Sequence, residues 1–299
     1  MESVRSKITN QKSKIPKGVL YVVATPLGNL EDITLRALRV LQHVDLIAAE
    51  DTRHSRKLLA HYGIRTALTS YHEHIERRKA PRLVEVLKQG RSVALISDAG
   101  TPGIADPGYR LICEAIDAGV RVEAVPGPSA FAAALSVGGL PTDRFSFDGF
   151  VPAKPGARRK FFTQLAGEPR TIVVYEAARR LADCLRDLRE VLGERRIVVA
   201  RELTKMFEEI VRGTVSDVLT WIEQRHGDVT LPGEVTLLIA GGGKIAAAAE
   251  HEDLAAAIER LRGEGMSLKE IARTLARERN LSRREVYRAG LSLASSVDS

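Results

Sequence analysis

The sequence predicts an α/β protein with two α/β domains in tandem and a short helical segment behind them. Three observations carry this. From residue 19, short Val- and Ala-rich runs alternate with amphipathic stretches of helical period, the pattern of a mainly parallel sheet flanked by helices. Several runs of the first half end in loops crowded with Gly and Pro. Near Gly139-Leu140-Pro141 the pattern resets and a second set of strands begins. At 299 residues and 44% hydrophobic, the chain is long and apolar enough for two cores.

In order along the chain, VLYVVAT (19–25) reads as a strand and DITLRALRVLQ (32–42) as a helix capped by Asp32. DLIAAE (45–50) is a second strand, followed by a helix over 52–63 that Gly63 stops. Pro81 is suited to open a helix over 81–89, because a first-turn residue needs no N–H. SVALIS (92–97) is a buried strand, YRLICEAIDAG a helix, and VRVEAVP (120–126) a further strand. SAFAAALSVGG is a short helix of small residues, which predicts close packing.

Beyond the reset, RFSFDGFV, TIVVYEA (171–177), RIVVARE (196–202), EEIVRGTV and GEVTLLIAG (233–241) read as five strands. Helices near 156–166, 179–192 and 214–226 intervene, and the short connections predict a mixed sheet. The domains expected are therefore 18–140 and 141–241, with 242–252 a Gly/Ala-rich linker and 253–299 a helical tail. In the tail, Ser267 with Glu270 and Ser282 with Glu285 are capping boxes that mark two helix starts. Their spacing resembles a helix-turn-helix, with Arg283, Arg284 and Arg288 on the last helix, and seven basic against four acidic residues over 264–290. Two roles fit it, nucleic-acid contact or a helical cap packed on another subunit.

The net charge of +7 suits a polyanionic partner. Residues 1–17 hold over half of that excess in a segment too polar to pack, and are expected to form a disordered basic arm. No apolar run approaches the roughly 18–20 residues that span a bilayer, and no signal-peptide core follows the basic N-terminus. Cys113 and Cys184 lie 71 positions apart without CxxC spacing, which predicts reduced thiols in a cytoplasmic protein with no disulfide frame or zinc site.

The usual nucleotide signatures are absent. No GxGxxG follows a strand, Lys244 of GGGK is followed by Ile, and no HExxH occurs. His72 and His74 flank Glu73 with no third metal ligand in view. What remains is a set of three loops, TPLGNLED (25–32), SDAGTPGIADPG (97–108) and PGPSA (126–130), each following a strand. In an open α/β sheet, ligands bind where such loops leave the carboxyl ends of the strands. Glycines let backbone groups approach a ligand closely, and prolines hold the loops in place. With no lysine in these loops, a neutral-to-cationic nucleoside fits better than a triphosphate.

The motifs TPLGNLEDITLRAL, AAEDTRHSRKLL, SYHEH, LISDAGTPGIADPGYRL, PGPSA, GLPTDRFSFDGFVP, YEAARRL, ARELTK and GEVTLLIAG together resemble the small-subunit ribosomal RNA cytidine 2′-O-methyltransferases of the tetrapyrrole methylase superfamily, from about residue 18 to 241. The resemblance implies two αβα domains, a homodimer, and S-adenosyl-L-methionine in the cleft between the domains. Carried onto this chain, it sets Pro26, Leu27 and Gly28 against the cofactor and Asp98, Ala99, Gly100 and Thr101 at its methionine end. Ile104, Ala105, Ser129 and Ala130 would line the adenosine, Tyr175 and Glu176 would close the site, and Gly233-Glu234-Val235 would complete the adenine pocket.

A ribose hydroxyl must lose its proton as it attacks a methyl group, so the chemistry calls for a positioned acceptor. Glu50 and Asp51 directly follow a strand and are the first candidates; Glu73 and Asp106 are the others. A carboxylate there can equally serve as a helix cap. Arg53 and Arg56 are candidates for the phosphates flanking the target, and His72 and Glu73 for substrate contact. The function expected is methylation of a cytidine ribose in the decoding region of 16S rRNA, with rRNA or the small subunit as partner and no metal. The alternatives are a methyltransferase of the same fold acting on a tetrapyrrole-like small molecule or a protein, and a non-catalytic nucleic-acid-binding sensor.

Overall fold

The computed structural model describes residues 16–226, 231–242, 254–263, 265–278 and 281–295. The basic arm expected over 1–17 therefore lies, but for its last two residues, outside the described residues, as does the linker expected over 242–252, but for Gly242. Residues up to Ala240, apart from Gly167–Pro169, form one compact unit; those three and the residues from Gly241 onward form another. No helix among the described residues is long and apolar enough to cross a membrane.

The first sheet contains β1 (Val19–Val23), β2 (Leu46–Ala49), β3 (Leu68–Ser70), β4 (Val93–Ile96) and β5 (Arg121–Val125), in the order β3-β2-β4-β1-β5. Every pairing in it is parallel. The connecting helices are α1 (Leu35–His43), α2 (Thr52–His61), α3 (Glu76–Lys88), α4 (Tyr109–Asp117) and α5 (Ala130–Gly138). Successive strand residues point to opposite faces, so β1 feeds two cores at once. Val19, Tyr21 and Val23 pack with α1 and α2, while Leu20 packs with α3 and α4.

Three details differ from the sequence reading. Helix α1 is capped by Thr34, whose hydroxyl accepts from Ala37 N at 3.1 Å; Asp32 instead ends a 3₁₀ turn over Leu30–Asp32 that Asn29 caps. Strand β3, three residues long, was not expected, being too short to show alternation. Helix α3 starts five residues before Pro81. Glu76 anchors that start, its carboxylate accepting from Gly108 N at 3.1 Å. The ring removes one bond, to the carbonyl of Arg77, and Arg77 is exposed.

The second sheet has the order β6-β7-β10-β8-β9, from β6 (Phe145–Phe150), β7 (Thr171–Ala177), β8 (Arg196–Arg201), β9 (Glu209–Thr214) and β10 (Glu234–Ile239). Strands β6 and β7 pair parallel and the rest antiparallel, the mixed sheet expected. Helices α6 (Pro155–Gln164), α7 (Leu181–Leu192) and α8 (Val215–His226) pack on one face. The other face receives α5, whose Ala134 and Leu135 join Val173, Val198, Ala200 and Leu238 in a core of their own. Arg212 of β9 caps α5, its Nε donating to Gly138 O at 3.1 Å.

The small residues of α5 thus permit a close approach. A Cβ at Gly138 would stand 2.4 Å from Leu238 Cδ1, in the middle of the second sheet. Gly138→Val is expected to lower stability by about 1–3 kcal/mol through overpacking. Thermal denaturation checks this; an unchanged midpoint would show that α5 has room to withdraw.

The last unit holds α9 (Leu254–Gly263), α10 (Leu268–Glu278) and α11 (Arg283–Ser295). Both capping boxes form: Glu270 accepts from Ser267 N at 3.0 Å, and Glu285 from Ser282 N at 2.9 Å. Ile258, Ile271, Leu275 and Val286 make its core. A Cβ on Gly290 would lie 2.3 Å from Leu268 Cδ1, so glycine sets the packing distance of α11.

Candidate active site

Strands β1, β2, β4 and β5 run parallel, so their carboxyl ends emerge on one edge of the first sheet. The loops that follow are tied to one another. Thr25 N donates to Gly100 O at 2.8 Å and Gly100 N to Thr25 O at 3.0 Å, a two-bond bridge between the first loop and the second. Thr101 Oγ1 donates to Pro128 O at 3.2 Å, which joins the second to the third. Gly100 sits at φ +80°, a conformation that excludes most side chains, and this keeps both its backbone groups aligned on Thr25.

These loops and the second sheet enclose a cavity of about 340 Å³, a size that suits a small ligand. From the first half it is lined by Leu27, Glu50, Asp98–Thr101, Ile104–Asp106, Ser129 and Ala130. From the second half come Phe150, Tyr175, Glu176, Ala200, Glu202, Leu203, Lys205 and Glu234–Thr236. Strain concentrates here. The non-glycine residues with left-handed φ among those described are Ala105 at +60°, Glu202 at +51° and Thr204 at +64°. Two line the cavity and the third lies between two lining residues, the clustering that functional loops show.

Most of the cofactor residues expected from the resemblance lie on this cavity. Pro26, Gly28 and Gly233 do not line it, though each adjoins a residue that does. A Cβ on Gly28 would meet Lys205 Cγ at 2.2 Å, so glycine lets the lysine stem cross the first loop. Glu176 reaches the cavity by its place on β7, not with its carboxylate. That carboxylate is buried and accepts from Ala177 N at 2.7 Å and Arg180 Nε at 2.7 Å, and it meets the Cys184 thiol. Strand alternation sends Tyr175 the other way, where its hydroxyl accepts from Phe131 N at 3.3 Å.

The two neighbouring carboxylates at the end of β2 separate. Glu50 lines the cavity, and its Oε2 accepts from Asp98 N at 3.3 Å. Asp51 turns outward and caps α2, accepting from Arg53 N at 2.7 Å and His54 N at 3.4 Å. Those bonds hold its carboxyl below the ordinary range, so the two carboxylates expected to act as a pair face different surroundings. Arg53, Arg56, His72 and Glu73 do not line the cavity. Arg53, Arg56 and Glu73 are exposed, and His72 stands near enough to Glu50 to favour its charged form.

The cavity is acidic. Burial first, then Glu50 and Asp98 nearby, push Asp106 up to about 7 against a hydrogen bond from Ser97. Burial also raises Glu50 and Asp98. Lys205 is the basic side chain among the described lining residues, and it is engaged by Glu202 at 2.8 Å and Glu234 at 3.5 Å. A cluster of carboxylates short of counter-charge calls for a cationic ligand. Small residues and backbone at Ala99, Gly100, Ala105, Ala130 and Ala200 leave room for a nucleoside beside it. A sulfonium-bearing nucleoside meets both requirements, and S-adenosylmethionine fits these residues.

Sequence reasoning missed Phe150, Ala200, Glu202, Leu203, Lys205 and Thr236. Phe150 had one available signal, the glycine before it. At Gly149 (φ +69°) the register of β6 shifts, so Phe147 pairs with Val173 but Phe150 with Tyr175. The bulge brings the Phe150 ring onto Tyr175, centroids 5.3 Å apart, with Phe147 on the same tyrosine at 4.9 Å.

Comparison with known proteins gives the family. Residues 19–219 match the family described as Tetrapyrrole (Corrin/Porphyrin) Methylases. The ribosomal RNA small subunit methyltransferase I of Escherichia coli O157:H7 is 48% identical over 248 residues, 83% of this chain and 84% of that protein. The protein of the same name from Vibrio cholerae is 45% identical over 287 residues, 95% of this chain and 98% of its own. Among solved structures, cobalt precorrin-4 methyltransferase superposes with a TM-score of 0.55 at 21% identity, covering 76% of this chain and 97% of that one. The uroporphyrin-III C-methyltransferase of Thermus thermophilus gives 0.52 at 22% identity, covering 76% and 95%; at such identities the likeness is one of fold. The chain therefore belongs to the tetrapyrrole methylase family, among the ribosomal RNA small subunit methyltransferase I proteins, and is an S-adenosylmethionine-dependent methyltransferase.

Proposed function

We propose that the protein methylates the ribose 2′-oxygen of a cytidine in the decoding region of 16S rRNA. The observation that carries the reading is the placing of the carboxylates: Glu50 lines the cavity while Asp51 caps a helix outside it, and Asp98 and Asp106 line the cavity from the second loop. The names of the relatives supply the RNA, and the resemblance of the motifs supplies the cytidine and its 2′-oxygen.

S-adenosylmethionine, when bound, supplies a methyl group on a sulfonium centre. Asp98 and Asp106 provide the negative surroundings for that cation, and the tied loops hold the small-residue wall against which a nucleoside lies. Glu50 accepts the proton that the ribose hydroxyl loses. Burial raises its basicity toward the working pH, and the Asp98 N–H holds the carboxylate in place. Most of the rate comes from alignment, because an in-line displacement needs its three centres collinear. Arg53 and Arg56, exposed on the helix that follows Glu50, reach phosphates flanking the target, and His72 with Glu73 lie on the substrate side of Glu50. A base in folded rRNA must leave its stack to bring its ribose into the cavity.

The dimer implied by the resemblance is supported by Tyr109 and Ile116, 75% and 57% exposed seven residues apart on α4, hence on one helix face. Cytoplasmic action is supported by two free cysteines.

Radiolabelled methyl transfer tests the reading, with small ribosomal subunits lacking the modification, naked rRNA and a uroporphyrinogen-type macrocycle as acceptors. Label recovered as 2′-O-methylcytidine is the expected result. Label in the macrocycle alone, or in no acceptor while S-adenosylmethionine still binds, would overturn it.

A further inference from the structure

The last unit carries a feature that methyl transfer does not use. A groove between α10 and α11 is lined by Lys269, Glu270 and Arg273 from one helix and Arg283, Arg284 and Tyr287 from the other, with Ala272 buried among them. Its single acid is already committed. The Glu270 carboxylate turns back onto Ser267, accepting from Oγ at 2.6 Å, and these bonds hold it below the ordinary carboxyl range. Among the described residues Lys269, Arg283 and Arg284 form no ion pair.

The placement of the two arginines is informative. They are the first residues of α11, where the helix dipole favours acidic side chains and opposes basic ones. Two guanidinium groups there work against the helix, and the Ser282–Glu285 capping box offsets them. Helix stability therefore gives no reason for their position. An anion does, since the two guanidinium groups then act on it together. Tyr287 follows Arg283 by four residues and Arg284 by three, so it shares their face, and it is 37% exposed. A tyrosine ring among guanidinium groups offers an unpaired base a surface for stacking, which a membrane surface or an acidic protein does not require.

We propose that this groove is a second RNA-contacting surface, in which Lys269, Arg283 and Arg284 hold the phosphates of a single-stranded rRNA segment and Tyr287 stacks on one of its bases. The proposal rests on the reading of the protein as an rRNA methyltransferase. It assigns part of the affinity for the substrate to residues outside the cavity.

The test uses the full chain with Lys269→Gln, Arg283→Gln and Arg284→Gln combined, since glutamine keeps length and helix propensity. Binding to small ribosomal subunits and to a labelled single-stranded RNA is measured by anisotropy across a salt series, without turnover. Each lost single-strand phosphate contact reduces the slope of log affinity against log salt by about 0.7. The expected result is a slope smaller by about 2, affinity down on the order of tenfold at physiological salt, and unchanged S-adenosylmethionine binding. Tyr287→Leu is expected to weaken single-strand binding several-fold and leave the slope intact. Wild-type slope and affinity in the triple variant would overturn the proposal, as would a changed oligomeric state in sedimentation, which would make the groove a subunit contact. If wild-type protein methylates no RNA yet shows the groove-dependent salt slope, the methyl-transfer reading fails and the groove stands.

Discussion

Asp106→Asn is expected to weaken S-adenosylmethionine binding about ten- to hundredfold while making the unliganded protein more heat-stable at pH 8. The first half follows from charge. Asp106 is a half-buried carboxyl in an acidic cavity, and a charge-assisted contact of the kind it offers a cation contributes about 1.5–3 kcal/mol. The second half follows from proton linkage. The Asp106 carboxyl is raised from 3.8 to about 7 in the folded protein, so between those values the native state holds a proton that the unfolded chain has lost. Stability therefore falls as pH rises through that window and is lowest above about 7. Asparagine carries no such charge, so the variant escapes the loss. The same linkage sets the pH dependence of binding. A cation favours ionised Asp106, so binding releases its proton; affinity rises with pH up to about 7, and Asp106→Asn removes the part of that dependence that Asp106 carries, leaving the part due to Glu50 and Asp98. Calorimetric titration from pH 5.5 to 8.5, with thermal melts alongside, measures both. A variant that binds like wild type would remove Asp106 from the donor site, and one that binds poorly and melts early would be a folding defect.

What could be read in advance was set by how local each signal is. Glycines and prolines at strand ends act within a few residues, so the first-sheet loops and nearly all their lining residues were legible as a group. The second-sheet side was harder. Ala200, Glu202 and Lys205 reach the cavity because β8 lies antiparallel to β10, a pairing of residues more than thirty positions apart. Nothing within ARELTK itself announces that Lys205 crosses Gly28. Glu50 and Asp51 show the limit at its sharpest. The two are adjacent in sequence, and both were candidates. Which turns inward depends on the helix start, where Asp51 meets the free N–H groups of Arg53 and His54 and is held by them. For α3, Pro81 was a true local signal outweighed by a tertiary bond from Glu76 to Gly108.

Asp187→Ala is expected to destabilise the protein by about 3–5 kcal/mol, leaving the binding cavity intact below the melting transition. Asp187 of α7 accepts from Arg158 Nε at 2.6 Å and from Arg159 Nη1 at 2.9 Å, which fastens α6 to α7 over the second sheet. Arg158 is 4% exposed, and Asp187 is the acidic partner shown for it. Removing the aspartate leaves a buried guanidinium without the acidic partner shown for it among the described residues, and arginine does not escape by losing its proton. An exposed pair such as Lys88 with Glu85, by contrast, contributes at most about 1 kcal/mol. The double variant Arg158→Met with Asp187→Leu removes both charges and refills the space, so it should recover most of the loss. Chemical denaturation of the single and double variants, with S-adenosylmethionine titration of each in the folded range, provides the check. Among the described residues no hydrogen bond or ion pair shown joins a cavity residue to this pair, so the dissociation constant should stay at its wild-type value in both. A single variant as stable as wild type would show that Arg158 finds water once Asp187 is gone. A loss of binding in the folded range would mean that the ion pair also positions β7, and with it the Tyr175 wall of the active site.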